Sequence, residues 1–379
     1  MKVEQKHWEA ASGWQPNEPG ELGATARLVL LFGATSLLRD PAMLADLGAR
    51  YANAVIVGCS TAGEICATRV RDESIVLTAV AFETSEVRLA QADIGDAAHS
   101  DIAGAQLARA LDHAGLVHVL VLSAGLGVNG TELARGLREN LPERVAVTGG
   151  LAGDGARFAH TLVWTASGAA AGRVAAVGFY GERLKVGHGS LGGWDPFGPE
   201  RLITRSAGNV LYELDGQPAL ELYKRYLGAH AAGLPGAALL FPLALRAQEG
   251  GSGLVRTILG VDEGKGSMTF AGDMPEGAHA RLMKANFDRL IDGAAGAAKA
   301  GLAQLGAFSA ELAILVSCVG RKLVLGQRIE EEVEAVRDVL GAQATLTGFY
   351  SYGELCPRGA VPTCELHNQT MTLTAFAEA

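Results

Sequence analysis

Three acidic residues stand at one recurring position in this sequence: Glu64 closes GCSTAGE, Asp154 closes GGLAGD and Glu354 closes GFYSYGE. Three carboxylates converging on one point could hold an amine or a metal. Alternatively, each accepts hydrogen bonds from its own glycine-rich turn, which charge assistance favours. Recurrence favours the second reading, because a residue present in every copy answers to architecture. Cys59 sits at a strand-to-turn position that could expose a thiol nucleophile, as sharp turns do in hydrolases, and Cys318 is a second candidate thiol. Catalysis by Cys59 would need a paired base, and no histidine lies near it in sequence. The competing reading is a small core residue, supported by Phe349 at the corresponding place of the third copy.

The loop SAGLGVNGT leaves an apolar run and opens a helix, so Ser123, Gly125, Gly127, Asn129 and Thr131 form a candidate ligand-binding set. Backbone N–H groups at such a place can hold a carboxylate or phosphate. The loop lacks the Lys-Ser/Thr of a P-loop and the dinucleotide fingerprint, and a capped helix behind a tight turn is the alternative. His367 lies in CELHNQTMTLTAFAE, which reads as a strand. Alternation puts His367, Gln369, Met371 and Leu373 on one face and Leu366, Asn368, Thr370 and Thr372 on the other. His367 and Met371 would be about 13 Å apart along a regular strand, too far to share one iron. Cys364 and His367 point to opposite faces and make a poor zinc pair. His188 lies in GHGSLGGWDPFG, where Trp194 and Phe197 could cover a flat apolar ligand or clamp two parts of the protein together.

These residues need elements to position them, and the elements repeat. Apolar runs LVLLF, VHVLVLS and LAILVS each end in a small-residue loop, a helix follows, and a second strand meets the acid-closed turn. Gly58, Gly149 and Gly348 follow Phe32, Ser123 and Cys318 by 26, 26 and 30 positions. Helices are expected over 41–51, 100–114, 130–140 and 327–340. The first and third copies share an LTA…AF strand after the turn. The fold class is therefore α/β, with repeated strand–helix–strand–turn–strand units forming mixed sheets. Residues 1–26 read as a polar N-terminal arm, 27–213 as one domain and 214–379 as a second. A segment of different character, roughly 187–310, lies between the second and third copies.

Composition bounds the function. With 379 residues, 49% hydrophobic content and 50 glycines, the chain is compact and rich in turns. A net charge of −9 without a basic cluster argues against nucleic acid. No run approaches the ~18–20 apolar residues of a membrane span, and the start MKVEQKHWEA has no signal-peptide core. Five cysteines without tight pairing fit the reducing cytoplasm.

The strings GCSTAGE, GGLAGDG, TRSAGNVLYELDGQPALELYKRYLG, SCVGR and GFYSYGE, in this order, resemble the FIST family over nearly the whole chain. The resemblance implies an N-terminal and a C-terminal FIST domain and a non-enzymatic sensor that binds a small ligand and signals to a partner. The GSLGGWDPFGPERLITRS loop and LHNQTMTLTAF tail are similar to the branch that binds haem and senses nitric oxide. That branch implies haem b, with His367 as its metal ligand, His188 as runner-up and Cys356, in a Cys-Pro dipeptide, as a thiolate alternative. It also implies a partner histidine kinase or cyclic-di-GMP enzyme. Other readings are a haem-free receptor for an amino acid or metabolite, and a thiol enzyme using Cys59 or Cys318.

Overall fold

The computed structural model describes residues 1–246, 254–358 and 364–379. Three mixed sheets of matching design make up the body. In the first, Leu28–Gly33 runs parallel to Val55–Ser60 and antiparallel to Ser74–Ala81. In the second, Leu116–Ser123 is flanked in the same way by Ala146–Leu151 and Arg173–Tyr180. In the third, Leu312–Cys318 lies between Thr345–Ser351 and Met371–Glu378. Each parallel pair is joined by a crossover that contains a helix: Pro41–Arg50, Gly130–Asn140 and Ile329–Leu340 respectively. The helices follow the expected spans, shortened at Arg50 and Ala110 and starting at Ile329.

The units do not close on themselves. After its acid-bearing turn, each sends a strand into a neighbouring sheet. Glu64–Cys66 of the first unit pairs with Thr345–Ser351 in the third sheet. Val163–Thr165 of the second pairs with Val55–Ser60 in the first. Gly353–Pro357 of the third pairs with Ala146–Leu151 in the second. The exchange is cyclic, with each unit both donor and acceptor.

Both faces of the central strands are buried, which is why they read as unbroken apolar runs. Leu30, Phe32, Leu120, Leu122, Ile314 and Val316 meet in one core shared by all three sheets. Their alternates, among them Val29 and Leu31 or Ala313 and Leu315, pack outward under the helices. At Gly58, Gly149 and Gly348 a side chain would collide with the carbonyl oxygen of Leu31, Val121 and Leu315 on the adjacent parallel strand. The three glycines therefore recur because the close strand contact recurs.

One departure from the sequence reading stands out. Lys2–Glu9, expected as part of a polar arm, is a strand paired along its whole length with Ser74–Ala81. Its buried charges are locally met: Glu4 accepts the amides of Gly20 and Leu22, and Lys6 pairs with Glu21. The segment of different character is a fourth sheet, inserted between the edge strand Leu184–Leu191 and the helix Phe287–Gln304, with a core of its own. Leu214, where the sequence reading divides the chain, lies in its strand Val210–Leu214. Arg321 of SCVGR is fully buried and holds the third sheet to the base of this insertion. It pairs with Glu332 at 2.7 Å and donates to the carbonyls of Gly192 and Leu290, while Ser317 and Tyr350 complete the Glu332 carboxylate.

Candidate functional site

His188 and His367, 179 positions apart in sequence, line one cavity of about 430 Å³. His188 comes from the edge strand of the third sheet. His367 comes from Cys364–His367, the outer half of the hairpin that the third unit lends to the second sheet. Ser190, Leu191, Gln304, Pro357, Asn368 and Thr370 complete much of the wall, and Leu254 and Val255 of the inserted sheet close one side. This volume falls within the ~300–1,000 Å³ range of small-ligand pockets.

The chemistry of His367 is set by its surroundings. Its Nε2–H donates to the Cys356 carbonyl at 3.1 Å, and burial pushes its pKa down to about 4. The ring is therefore neutral at ordinary pH, with the proton on Nε2 and a lone pair on Nδ1. Nδ1 has no hydrogen-bond partner among the described residues. A histidine fixed through one nitrogen to a carbonyl is arranged as metal-ligating histidines are. Burial also lowers the pKa of His188. Its backbone is clamped by Gln304, which accepts the His188 amide and donates to its carbonyl. Asn368, 1% exposed, turns its Oδ1 to the Thr257 amide and leaves Nδ2 without a partner among the described residues. Asn368, Thr370, Ser190 and Gln304 carried no signal in sequence, since polar residues at the ends of strands and helices are ordinary.

Other candidates lie elsewhere. Cys356 supplies a carbonyl to His367, but its side chain is fully buried and burial pushes the thiol far up. It lies outside the cavity lining, so the thiolate expectation is corrected. Trp194 does not line the cavity; its indole donates to the Gln369 carbonyl at 2.9 Å and fastens the inserted sheet to the third sheet. Cys59 and Cys318 are fully buried, and burial raises both thiols, Cys318 to about 12. Neither offers a thiolate. Among the described residues no cluster of three or more His, Cys, Asp or Glu could hold a metal.

The Ser123–Thr131 loop is filled by the protein itself, which corrects the anion-site expectation. The Gly125 amide donates to Thr161, the Asn129 amide to Ser100, and the amides of Thr131 and Glu132 to the Asn129 side chain. Asp273, in the loop after the inserted strand Ser267–Phe270, covers the helix start, accepting from Asn129 Nδ2 and donating its amide to Thr131. Ser123 bonds the Ala124 carbonyl, and Gly127 adopts a left-handed turn at φ +68°. The acids are likewise met by the protein itself, Asp154 in part from another unit. Glu64 accepts from Thr61 and from the amide and hydroxyl of Ser74. Asp154 accepts from the amides of Ala159 and His160 and from Tyr352.

No helix among the described residues is long and apolar enough to cross a membrane. No curated protein matches the chain. Among solved structures, that of cyanuric acid hydrolase from A. caulinodans is similar at 12% identity over 78% of this chain and 99% of that one. Its TM-score of 0.18 gives the likeness no weight. The FIST N domain matches residues 27–217 and the FIST C domain residues 219–357. Because these two matches run in order over most of the sequence, the chain belongs to the FIST family of sensory, signal-transduction domains.

Proposed function

We propose that this FIST protein senses its ligand in the cavity between His188 and His367, and that the ligand is haem b responding to nitric oxide. The observation that carries this reading is the neutral His367 ring, tied through Nε2 to the Cys356 carbonyl and with no hydrogen-bond partner at Nδ1 among the described residues. The donor set fits a haem held by imidazole and not one held by thiolate. His367 would hold the iron, with His188 as the alternative, and Leu191, Leu254, Val255 and Pro357 supply apolar wall. Bound haem would supply the iron to which nitric oxide coordinates. His367 opens onto the turn Asn368–Thr370, and Thr370 bonds the buried Glu354 carboxylate. A change at His367 is thereby passed to Met371–Glu378 and to the surface that a partner histidine kinase or cyclic-di-GMP enzyme would read. Such a response requires different affinities in two states.

The test is the absorption spectrum of protein supplied with haem, reduced and then exposed to nitric oxide. A Soret band near one haem per chain that shifts with nitric oxide supports the reading, and its loss in His367→Ala assigns the ligand. Protein that takes up no haem overturns it.

A haem-free receptor has its own support in Asn368 Nδ2 at the same cavity, which has no partner among the described residues. A buried donor of this kind calls for an acceptor oxygen, such as the carboxylate of an amino acid or another metabolite. Stabilisation of the colourless protein by such a compound, lost in Asn368→Leu, would favour this second reading.

A further inference from the structure

The cyclic design gives an internal comparison. At one place in each sheet, the crossover helix meets the hairpin received from another unit. In the second sheet Leu366 of the received hairpin packs over Gly130 at the start of the helix. In the third, the Val70 amide and the Arg69 side chain bind Glu330 on the helix. In the first sheet the same place is open. Ala45 and Gly48 on the helix Pro41–Arg50, and Ala166, Gly168 and Ala169 on the received hairpin, line a groove of about 530 Å³. A side chain added at Gly48 or Gly168 would meet nothing within 4 Å.

The walls of this groove have a definite chemistry. Leu38, Leu44, Ile56 and Leu162 are buried apolar side chains. Trp164 also lines it, 4% exposed, with its indole N–H buried and unpartnered among the described residues. Arg39, exposed at the rim, makes no ion pair among the described residues. Thus an apolar trough, a buried donor and a cation, the last two without partners among the described residues, occur where the other two sheets are filled by side chains.

We infer that this groove is a second ligand site, separate from the histidine cavity, and that it takes a small amphipathic carboxylate. The apolar body lies along Leu44, Ile56 and Leu162, and the two oxygens of the one carboxylate are shared between Arg39 and the Trp164 indole N–H. The volume suits a medium-chain or aryl acid and is too small for a folded partner. Charge complementarity with Arg39 sets the acid apart from a neutral molecule of equal length.

Octanoate is a suitable probe, with octanol as its neutral counterpart. In ¹H–¹⁵N spectra of the full chain, the Trp164 indole signal, assigned by its loss in Trp164→Phe, is expected to shift saturably with octanoate. Octanol should bind about fivefold more weakly, the scale of a partly exposed ion pair, and Arg39→Ala should bring octanoate down to that level. Gly48→Leu fills the trough from an open helical position and should abolish binding while the melting temperature is kept or raised. His367→Ala should leave octanoate binding intact. No shift of the Trp164 signal up to the solubility limit overturns the site, as does undiminished binding to folded Gly48→Leu.

Discussion

Glu64 and Glu354 occupy the same place in two different units and are held in the same way. Each accepts a hydroxyl from three residues earlier, Thr61 or Ser351, and then the amide and hydroxyl of a residue where the strand after the hairpin begins, Ser74 or Thr370. Both carboxyls are buried, and burial raises their pKa values to about 7 for Glu64 and about 8 for Glu354.

That pair sets a pH dependence. A carboxyl whose pKa is higher folded than unfolded contributes most below its unfolded value, and the contribution is lost as pH rises through the folded one. Stability contributed by Glu354 therefore falls between about pH 4.5 and 8. Glu354→Gln removes the titration and should be more stable than the parent at pH 9, by on the order of 1–3 kcal/mol. At pH 4 the advantage should vanish. Urea denaturation at both pH values checks this.

Buried histidines act in the opposite direction. His118 packs between Phe179 and Phe376 and bonds Thr148, and burial takes its pKa to about 3. Its contribution is complete above pH 6.5 and is lost as pH falls toward 3. His118→Gln should lose less stability than the parent between pH 6.5 and 4, by about 1–2 kcal/mol. Parallel denaturation curves at the two pH values measure the difference.

The Arg321–Glu332 pair is fully enclosed and fully bonded. Arg321→Met leaves Glu332 buried with no cation and should cost about 3–5 kcal/mol. Arg321→Met with Glu332→Gln should recover a large part, because the stranded charge is gone. Thermal or chemical unfolding of the single and double variants tests this, and equal loss in both would refute it.

Gly149→Ala places a methyl group against the Val121 carbonyl. The strands must separate or the side chain must distort, so a loss of at least about 2 kcal/mol is expected. Gly127→Ala meets nothing within 4 Å but sits at positive φ, and about 1 kcal/mol suffices there. Gly149 also lies at positive φ, +140°, so the excess loss of melting temperature in Gly149→Ala over Gly127→Ala reports the steric cost.

Local features were legible in the sequence because they are written within a few residues. The three units, their glycine turns and the helix Gly130–Asn140 follow from apolar runs and the small-residue loops between them. The cavity was not legible as a unit. His188 and His367 meet because a hairpin of the third unit lands in the second sheet, and no local pattern states where a strand will pair. The glycine-rich loop misled for a similar reason: Asp273, which covers its helix start, lies 144 positions from Asn129. The strand Lys2–Glu9 was hidden because Glu4 and Lys6, though charged, point inward to partners in 17–22.

The cyclic loan of strands has a consequence for dissection of the protein. A fragment ending at residue 217 would keep Glu64–Cys66 without the Thr345–Ser351 strand it pairs with, and Ala146–Leu151 without Gly353–Pro357. Its remainder would carry the complementary bare edges, and exposed edges of this kind recruit other chains. The boundary between the two family matches, 27–217 and 219–357, thus cuts across paired strands. Such halves should precipitate when expressed apart and become soluble when co-expressed, the behaviour of a split protein whose pieces finish one another.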